Sequence, residues 1–233
     1  MKTGVKGYFL KEYGSWSVLS VSFLIGLIVS REASWLAVPL FLALGLLINS
    51  KQAFMKWVRR KEDSQSLFIF LGQVLVAACM MAAIFRGDVP RLLPLLCFPA
   101  AYLISNKLAG EHHLVTEILG FTLISLAAVL SKFLVTGGID VRLFVAVVFY
   151  FSAGVFKVKT LVLKKTGDRI LTILWVVIAV FAFNGFHISR LILLPLFDNV
   201  LAALTLYKAK LKTIGWMEVA KSLAFLILMA ALY

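Results

Sequence analysis

Carboxylates and lysines inside long apolar segments are the first candidates for chemistry in this sequence. Glu117, Asp198 and Glu218 each lie within such a segment, and Lys221 follows Glu218 by three positions. Residues three apart on a helix lie on nearly the same face, so Glu218 and Lys221 can form an ion pair. Ionisable groups in hydrocarbon are costly, and by default they mark a functional site or a partnered pair. We therefore predict that these residues belong to a ligand-binding site.

Further charged residues lie at the ends of the apolar segments and extend this predicted site. Glu12, Lys157 and Lys159 lie on the same predicted side of the membrane as the two glutamates. The alternative for the lysines is that their side chains only extend to the lipid headgroups. The alternative for Asp198 is a structural hydrogen bond with Asn199 or a neighbouring helix. The complete predicted ligand-binding set is Glu12, Glu117, Lys157, Lys159, Asp198, Glu218 and Lys221.

Residues that bind metals or nucleotides are not arranged in a recognisable pattern. His112 and His113 lie in one predicted loop and His187 in another, so they offer no metal cluster. Cys79 and Cys97 lie in apolar segments without a CxxC spacing. No phosphate-binding loop, HExxH, GxSxG or dinucleotide fingerprint occurs, and no DxxxD or DDxxD cluster is present to bind magnesium. The sequence predicts no metal site and identifies no cofactor.

The composition indicates that these residues are positioned by helices in a membrane. Hydrophobic residues make up 62% of the 233 positions and charged residues only 15%. Soluble domains average roughly 45–50% apolar and about 25% charged residues, so this chain has too little polar surface for water. The net charge of +13 arises from Lys and Arg between apolar segments, which is typical of cytoplasmic loops and not of a nucleic-acid-binding face. We predict no nucleic-acid partner.

The apolar segments predict an all-α polytopic bundle of about nine transmembrane helices in a single domain, residues 1–233. A helix needs about 20 apolar residues to cross the hydrocarbon core. A turn at Asn184 and Gly185 divides a stretch that is too long for one crossing. The predicted spans are 15–30, 35–50, 67–85, 89–105, 114–135, 143–163, 169–184, 188–206 and 214–233.

Basic residues predict the orientation of the bundle. Lys and Arg are abundant in residues 51–61 and 157–169, and they are sparse at the other ends of the predicted spans. The positive-inside rule then places the N-terminus in the cytoplasm and the C-terminus outside. The first apolar segment lacks an A-x-A cleavage site, so we expect it to remain as the first helix. The predicted location is the inner (cytoplasmic) membrane of a bacterium.

Four stretches, residues 11–16, 102–120, 158–160 and 214–218, together resemble the YwiC-like family of bacterial membrane proteins. Residues 11–16, KEYGSW, resemble that family's opening motif, although Tyr13 stands where the family usually has a histidine. Residues 102–120 resemble its polar loop that ends in a glutamate, here Glu117, and residues 158–160 and 214–218 resemble two further stretches. The resemblance implies a helical membrane protein. Any proton transfer by the family's histidine would not carry over to Tyr13.

Three functions remain open from the sequence. The first is binding or transport of an anionic or amphipathic ligand, such as a lipid or isoprenoid, through a basic cytoplasmic mouth. The second is an intramembrane enzyme with a fold similar to UbiA-type prenyltransferases, with Glu117 or Glu218 as acid or base. That enzyme would need an apolar cavity near these residues, and the missing aspartates argue against the same chemistry. The third is an accessory subunit of a respiratory or other membrane complex, with a protein partner.

Overall fold

A computed structural model describes residues 13–59, 64–207 and 211–233 of the chain. These residues form helices with short connections, and no strand occurs among them, so the predicted all-α bundle is confirmed. Shorter helical segments, Arg86–Asp88, Val89–Leu92, Leu93–Leu96 and Arg190–Leu196, lie between some of the helices. In chain order the helices are α1 (Tyr13–Ser30), α2 (Ala37–Arg59), α3 (Ser64–Phe85), α4 (Cys97–Ala109), α5 (Leu114–Thr136), α6 (Val141–Leu163), α7 (Thr166–Gly185), α8 (Phe197–Thr205) and α9 (Leu211–Leu232).

The described helices are those of a multi-pass membrane protein. Seven helical stretches among the described residues are long and apolar enough to cross a membrane. One of these, Ser64–Ala109, contains both α3 and α4. Helix α8 has only 9 residues and is too short to span the hydrocarbon core alone. The count of nine crossings and the side of each terminus stay predictions.

The stretch Ser64–Ala109 doubles back on itself. As one straight helix, its 46 residues would extend about 69 Å. Both of its ends nevertheless lie near the end of α2. It begins shortly after Arg59, and Glu111, just beyond its other end, contacts the side chains of Lys51 and Arg59 at 3.2 and 2.8 Å. Helices α3 and α4 therefore run in opposite directions, as the predicted spans require.

Prolines interrupt the regular α-helix inside two of the predicted spans. The span predicted at 89–105 becomes continuous α-helix only at Cys97, since Pro90 and Pro94 lie in short helical turns before it. In the span predicted at 188–206, residues 190–196 form a 3₁₀-helix that contains Pro195. Proline lacks the backbone N–H that an α-helix interior needs. The predicted turn after residue 184 is present, because α7 ends at Gly185.

Contacts between helix ends define the two ends of the bundle. Lys159 near the end of α6 pairs with Glu117 at the start of α5, at 2.7 Å. Arg169 at the start of α7 donates to the carbonyl oxygens of Ala203 and Leu204 at the end of α8. We call this end of the bundle the basic end. Because α5 and α7 begin there and α6 and α8 end there, successive helices alternate in direction.

At the opposite end, Asp140 joins three helices. Lys132 of α5 donates to Asp140 at 2.6 Å, and the hydroxyl of Tyr233, just beyond α9, donates at 2.9 and 3.0 Å. Asp140 also caps the start of α6 by accepting from the Leu143 N–H. Burial raises the pKa of Asp140, but these hydrogen bonds and the charge of Lys132 outweigh burial and hold the pKa below its usual range.

Helix α1 packs closely against α5 because Gly26 has no side chain at the contact. A Cβ atom at Gly26 would collide with the Ala128 carbonyl oxygen and with Ser131 Oγ. Ser131 Oγ in turn donates to the Phe23 carbonyl oxygen at 2.9 Å. Helix α2 and the end of α3 pack on one side of the α1–α5 pair, and α6 and α9 pack on the other.

Candidate functional site

A partly open cavity of about 960 Å³ lies between the helices of the bundle. Helices α1 to α6 and α9 contribute to its walls, together with the connection between α3 and α4. Helix α3 packs on α2 and α4 packs on α5, while α3 and α4 pack little against each other. The cavity therefore extends between these two helix pairs. Its volume is near the upper end of the range of about 300–1,000 Å³ for small-molecule sites.

The walls of the cavity change in polarity along its length. Toward the α3–α4 connection the lining is apolar, with side chains such as Met81, Phe85, Leu92 and Leu130. Charged side chains line the cavity toward the basic end: Lys51, Glu111, Glu117, Lys159, Glu218 and Lys221. An amphipathic molecule would find matching surroundings for both of its parts in such a cavity.

Four of the predicted site residues form one cluster beside the cavity, which we call the inner ion cluster. Its members come from α6, α8 and α9: Lys157, Asp198, Glu218 and Lys221. Lys157 Nζ lies 2.5 Å from Asp198 Oδ2 and 2.7 Å from Glu218 Oε1. Lys221 Nζ lies 3.0 Å from the same Glu218 oxygen and 3.5 Å from Asp198 Oδ2. With two lysines and two carboxylates, the cluster has no formal net charge.

Polar neighbours hold the inner ion cluster in place. Asn199 donates to the Ala153 carbonyl oxygen of α6 at 2.9 Å and accepts from Lys221 Nζ. The Tyr207 hydroxyl donates to Asp198 Oδ1 at 3.3 Å. These bonds tie α8 to α6 and α9, so the short α8 is fixed by side chains as well as by packing. Buried charges need this degree of compensation, because an uncompensated one is strongly destabilising.

Glu218 combines ion pairing with access to the cavity and has one carboxylate oxygen outside the ion pairs. Its Oε1 atom accepts from both lysines, while Oε2 makes none of these contacts. The Glu218 side chain is 30% exposed, whereas Lys157 is fully buried. Oε2 lies beside Gly154 of α6, where a Cβ atom would be 3.5 Å away. The absence of a side chain at Gly154 leaves this oxygen uncovered from that direction.

Glu117 and Lys159 form a second ion pair at 2.7 Å, and both line the same cavity. Lys159 Nζ also lies 3.5 Å from the His112 carbonyl oxygen, in the loop before α5. These two residues belong to the predicted set, and the structure places them on the cavity wall but pairs them separately from the inner ion cluster. A binding role for either group stays a prediction.

The structure answers the two alternatives differently. Lys157 does not extend to the headgroups, because its side chain is completely buried between two carboxylates. Asp198 does make a hydrogen bond to a neighbouring helix, with Lys157 of α6 as its partner, while Asn199 bonds to the Ala153 carbonyl oxygen of α6. The remaining predicted residue, Glu12, lies outside the described residues.

The sequence prediction missed the ion pairs of Glu111, which lines the cavity. Glu111 follows α4 and lies against Lys51 and Arg59 of α2. No helical spacing links these residues, so only the doubling back of α3 and α4 brings them together. The described residues include no group of three or more His, Cys, Asp or Glu side chains that could hold a metal ion. Cys79 and Cys97 are free thiols on exposed helix surfaces.

Comparison with known proteins gives one match. The sequence profile of a family described as YwiC-like protein matches residues 10–132, which is 123 of the 233 positions. The matched part contains α1 to α4 and most of α5, and with them much of the cavity wall. No curated protein and no solved structure matches the chain.

Proposed function

The chain belongs to the YwiC-like family, and from this premise we propose that it binds an amphipathic membrane lipid in the cavity between its helices. The apolar tail of the lipid lies toward the α3–α4 connection, and its polar head lies at the charged residues near the basic end. The proposed location is the cytoplasmic membrane, with the basic end on the cytoplasmic side, where the excess of Lys and Arg favours it.

The observation that carries the proposal is the polarity gradient along one cavity of about 960 Å³. A solid bundle would offer no such space, and a uniformly polar channel would instead favour an ion or a small hydrophilic solute. Ligand sites typically combine apolar walls with a few polar groups that fix orientation. The lining by Met81, Phe85 and Leu130 at one end and Glu218 and Lys221 at the other supports a ligand with both properties.

The space between α3 and α4 supports entry from the bilayer. These two helices pack on α2 and α5 but little on each other. A lipid can reach the cavity between them without its tail passing through water. An isoprenoid is one suitable class, since its branched chain is entirely apolar and carries a single polar head.

Native mass spectrometry of the protein extracted in mild detergent tests the proposal. Ala82 and Ala83 are adjacent, exposed residues of α3, but only Ala82 lines the cavity. We expect wild-type protein and Ala83→Trp to retain a stoichiometric lipid, and Ala82→Trp to lose most of it, because the indole fills the cavity. Equal retention by both variants would contradict the proposal. Retention of a protein partner and no lipid would favour the accessory-subunit function.

A second candidate function is group transfer to or from the bound lipid. It is favoured by one observation, that Glu117 and Glu218 both line the cavity, where either could accept or donate a proton. Incubation of the wild-type protein with its co-purified lipid and a membrane extract, followed by mass analysis, would reveal a modified lipid. If the lipid is recovered unchanged, binding or transport remains the better account.

A further inference from the structure

The charged side chains at the polar end of the cavity indicate which kind of lipid headgroup the cavity can bind. The described lining residues include three lysines, at positions 51, 159 and 221, and three glutamates, at positions 111, 117 and 218. Each lysine already contacts a glutamate of this set: Lys51 pairs with Glu111, Lys159 with Glu117 and Lys221 with Glu218. The described residues of this wall therefore do not share the basic excess of the whole chain.

An anionic head would be unfavourable beside these pairs. A phosphate bound to one of these lysines would lie next to the glutamate that the lysine already contacts. Like charges in a poorly hydrated site repel strongly, and a buried charge without a partner is costly. Lys157 is an equally unfavourable partner for an anionic head, because it is already bound to both Asp198 and Glu218.

A neutral head that donates a hydrogen bond fits the site without displacing anything. Glu218 Oε1 accepts from Lys157 and Lys221, but Oε2 makes neither contact. Oε2 lies next to Gly154, and both residues line the cavity. A carboxylate oxygen is a strong acceptor for a hydroxyl donor. The Gly154 position leaves the room that such a hydroxyl needs.

We propose that the cavity selects lipids with an uncharged, hydrogen-bond-donating head, such as a long-chain alcohol, and that Glu218 Oε2 above Gly154 accepts the head's hydrogen bond. This inference rests on the proposed lipid binding and narrows its ligand class. It differs from the sequence-based hypothesis of an anionic ligand at a basic mouth, because that hypothesis could not take the pairing of the lysines into account.

Three probes that differ only in the head test this selectivity: farnesol, farnesyl monophosphate and the corresponding hydrocarbon. Each is titrated into the full chain in lipid nanodiscs, and the retained probe is quantified by mass spectrometry. For the wild-type protein we expect farnesol to bind about tenfold or more tighter than either of the other two, the gain expected from a hydrogen bond to a charged group. Tighter binding of the monophosphate, or equal binding of alcohol and hydrocarbon, would overturn the inference and leave lipid binding intact. If no probe binds, the proposed function itself is contradicted for this class of lipid.

Two variants address the residues that carry the selectivity. Glu218→Gln leaves an excess positive charge in the inner ion cluster, so we expect the preference to shift toward the monophosphate by about tenfold. Gly154→Ala places a methyl group 3.5 Å from Oε2 without changing any charge, and we expect it to weaken farnesol binding several-fold and to leave hydrocarbon binding unchanged. Since alanine is favoured over glycine inside a helix, loss of folding would not explain that result.

Asp140→Asn is the matched control for the charge change. It replaces the carboxylate that pairs with Lys132 at the opposite end of the bundle. Asp140 does not line the cavity. The ratio of farnesol to monophosphate affinity should equal that of the wild-type protein. A wild-type ratio in both Glu218→Gln and Gly154→Ala would overturn the assignment of Glu218.

Discussion

Lys157 shows what a single buried charge does in this membrane protein. Its ammonium group links α6 to α8 through Asp198 and to α9 through Glu218, and no part of the side chain is exposed. The carboxylates are each partly exposed and also have Lys221 nearby. Lys157 is therefore the member of the inner ion cluster that depends most on its partners, and they depend on it.

Replacement of Lys157 by methionine should destabilise the protein. The change keeps most of the side-chain volume but leaves two carboxylates with one lysine, and breaking a buried ion pair from one side costs roughly 3–5 kcal/mol. Because Asp198 and Glu218 are 25% and 30% exposed, we expect a loss toward the lower end of that range. Unfolding in mixed micelles of increasing SDS content measures it.

Lys165→Met, in the exposed turn between α6 and α7, is the control for the Lys157 experiment. We expect it to change stability by less than about 0.5 kcal/mol, as is usual for surface substitutions. Equal effects of the two substitutions would show that the contacts of Lys157 contribute little to stability.

At the scale of helices, the ends of α5, α6 and α9 are held together by Asp140. Asp140→Asn should lower stability at neutral pH by about 1–2 kcal/mol, because the amide cannot form the ion pair with Lys132 at 2.6 Å. The pKa of Asp140 is lowered in the folded protein, so its contribution is complete above the usual value of about 3.9 and is lost as the pH falls through the folded value. Thermal unfolding of both proteins between about pH 7 and pH 3 tests this. The two curves should converge only at the acid end, and a constant difference would argue against the ion pair.

The sequence predicted those helices whose positions follow from the length of an apolar segment alone. The segments later seen as α1, α3, α5 and α6 are recognisable because each is long and carries few charges. The span predicted at 89–105 did not reveal that continuous α-helix begins only at Cys97, because Pro90 and Pro94 lie in an apolar run that hydropathy cannot distinguish from α-helix. Local chemistry of the prolines, and not hydropathy, determines where the continuous helix begins.

The candidate site was predictable only in part, for a related reason. The pair Glu218–Lys221 follows from spacing within one helix, and the structure contains it at 3.0 Å. Lys157 and Asp198 lie 41 positions apart, and nothing in the sequence specifies that α6 and α8 bring them together. The cavity has no sequence signal at all, since it is a property of how helices pack. Apolar residues that line it look the same as apolar residues that face lipid.

At the scale of the whole molecule, the direction of the bundle in the membrane can be tested directly. In a background with Cys79→Ser and Cys97→Ser, single cysteines are introduced as Lys165→Cys at the basic end and Gly138→Cys at the opposite end. A membrane-impermeant maleimide added to intact cells should label Gly138→Cys and leave Lys165→Cys unlabelled until the cells are permeabilised, because the positive-inside rule retains the basic end in the cytoplasm. The reverse pattern would invert the predicted topology.

The sparse packing between α3 and α4 has a mechanical consequence. These helices are supported from one side, by α2 and α5, and enclose a volume of about 960 Å³ that the surrounding bilayer can compress. Lateral pressure and bilayer thickness would then act on the cavity as well as on the outer surface, since helices respond to mismatch by tilting. In thicker or more tightly packed bilayers we therefore expect the two helices to be pressed together and the cavity to narrow, so that the lipid composition of the host membrane would affect the space available to a bound molecule.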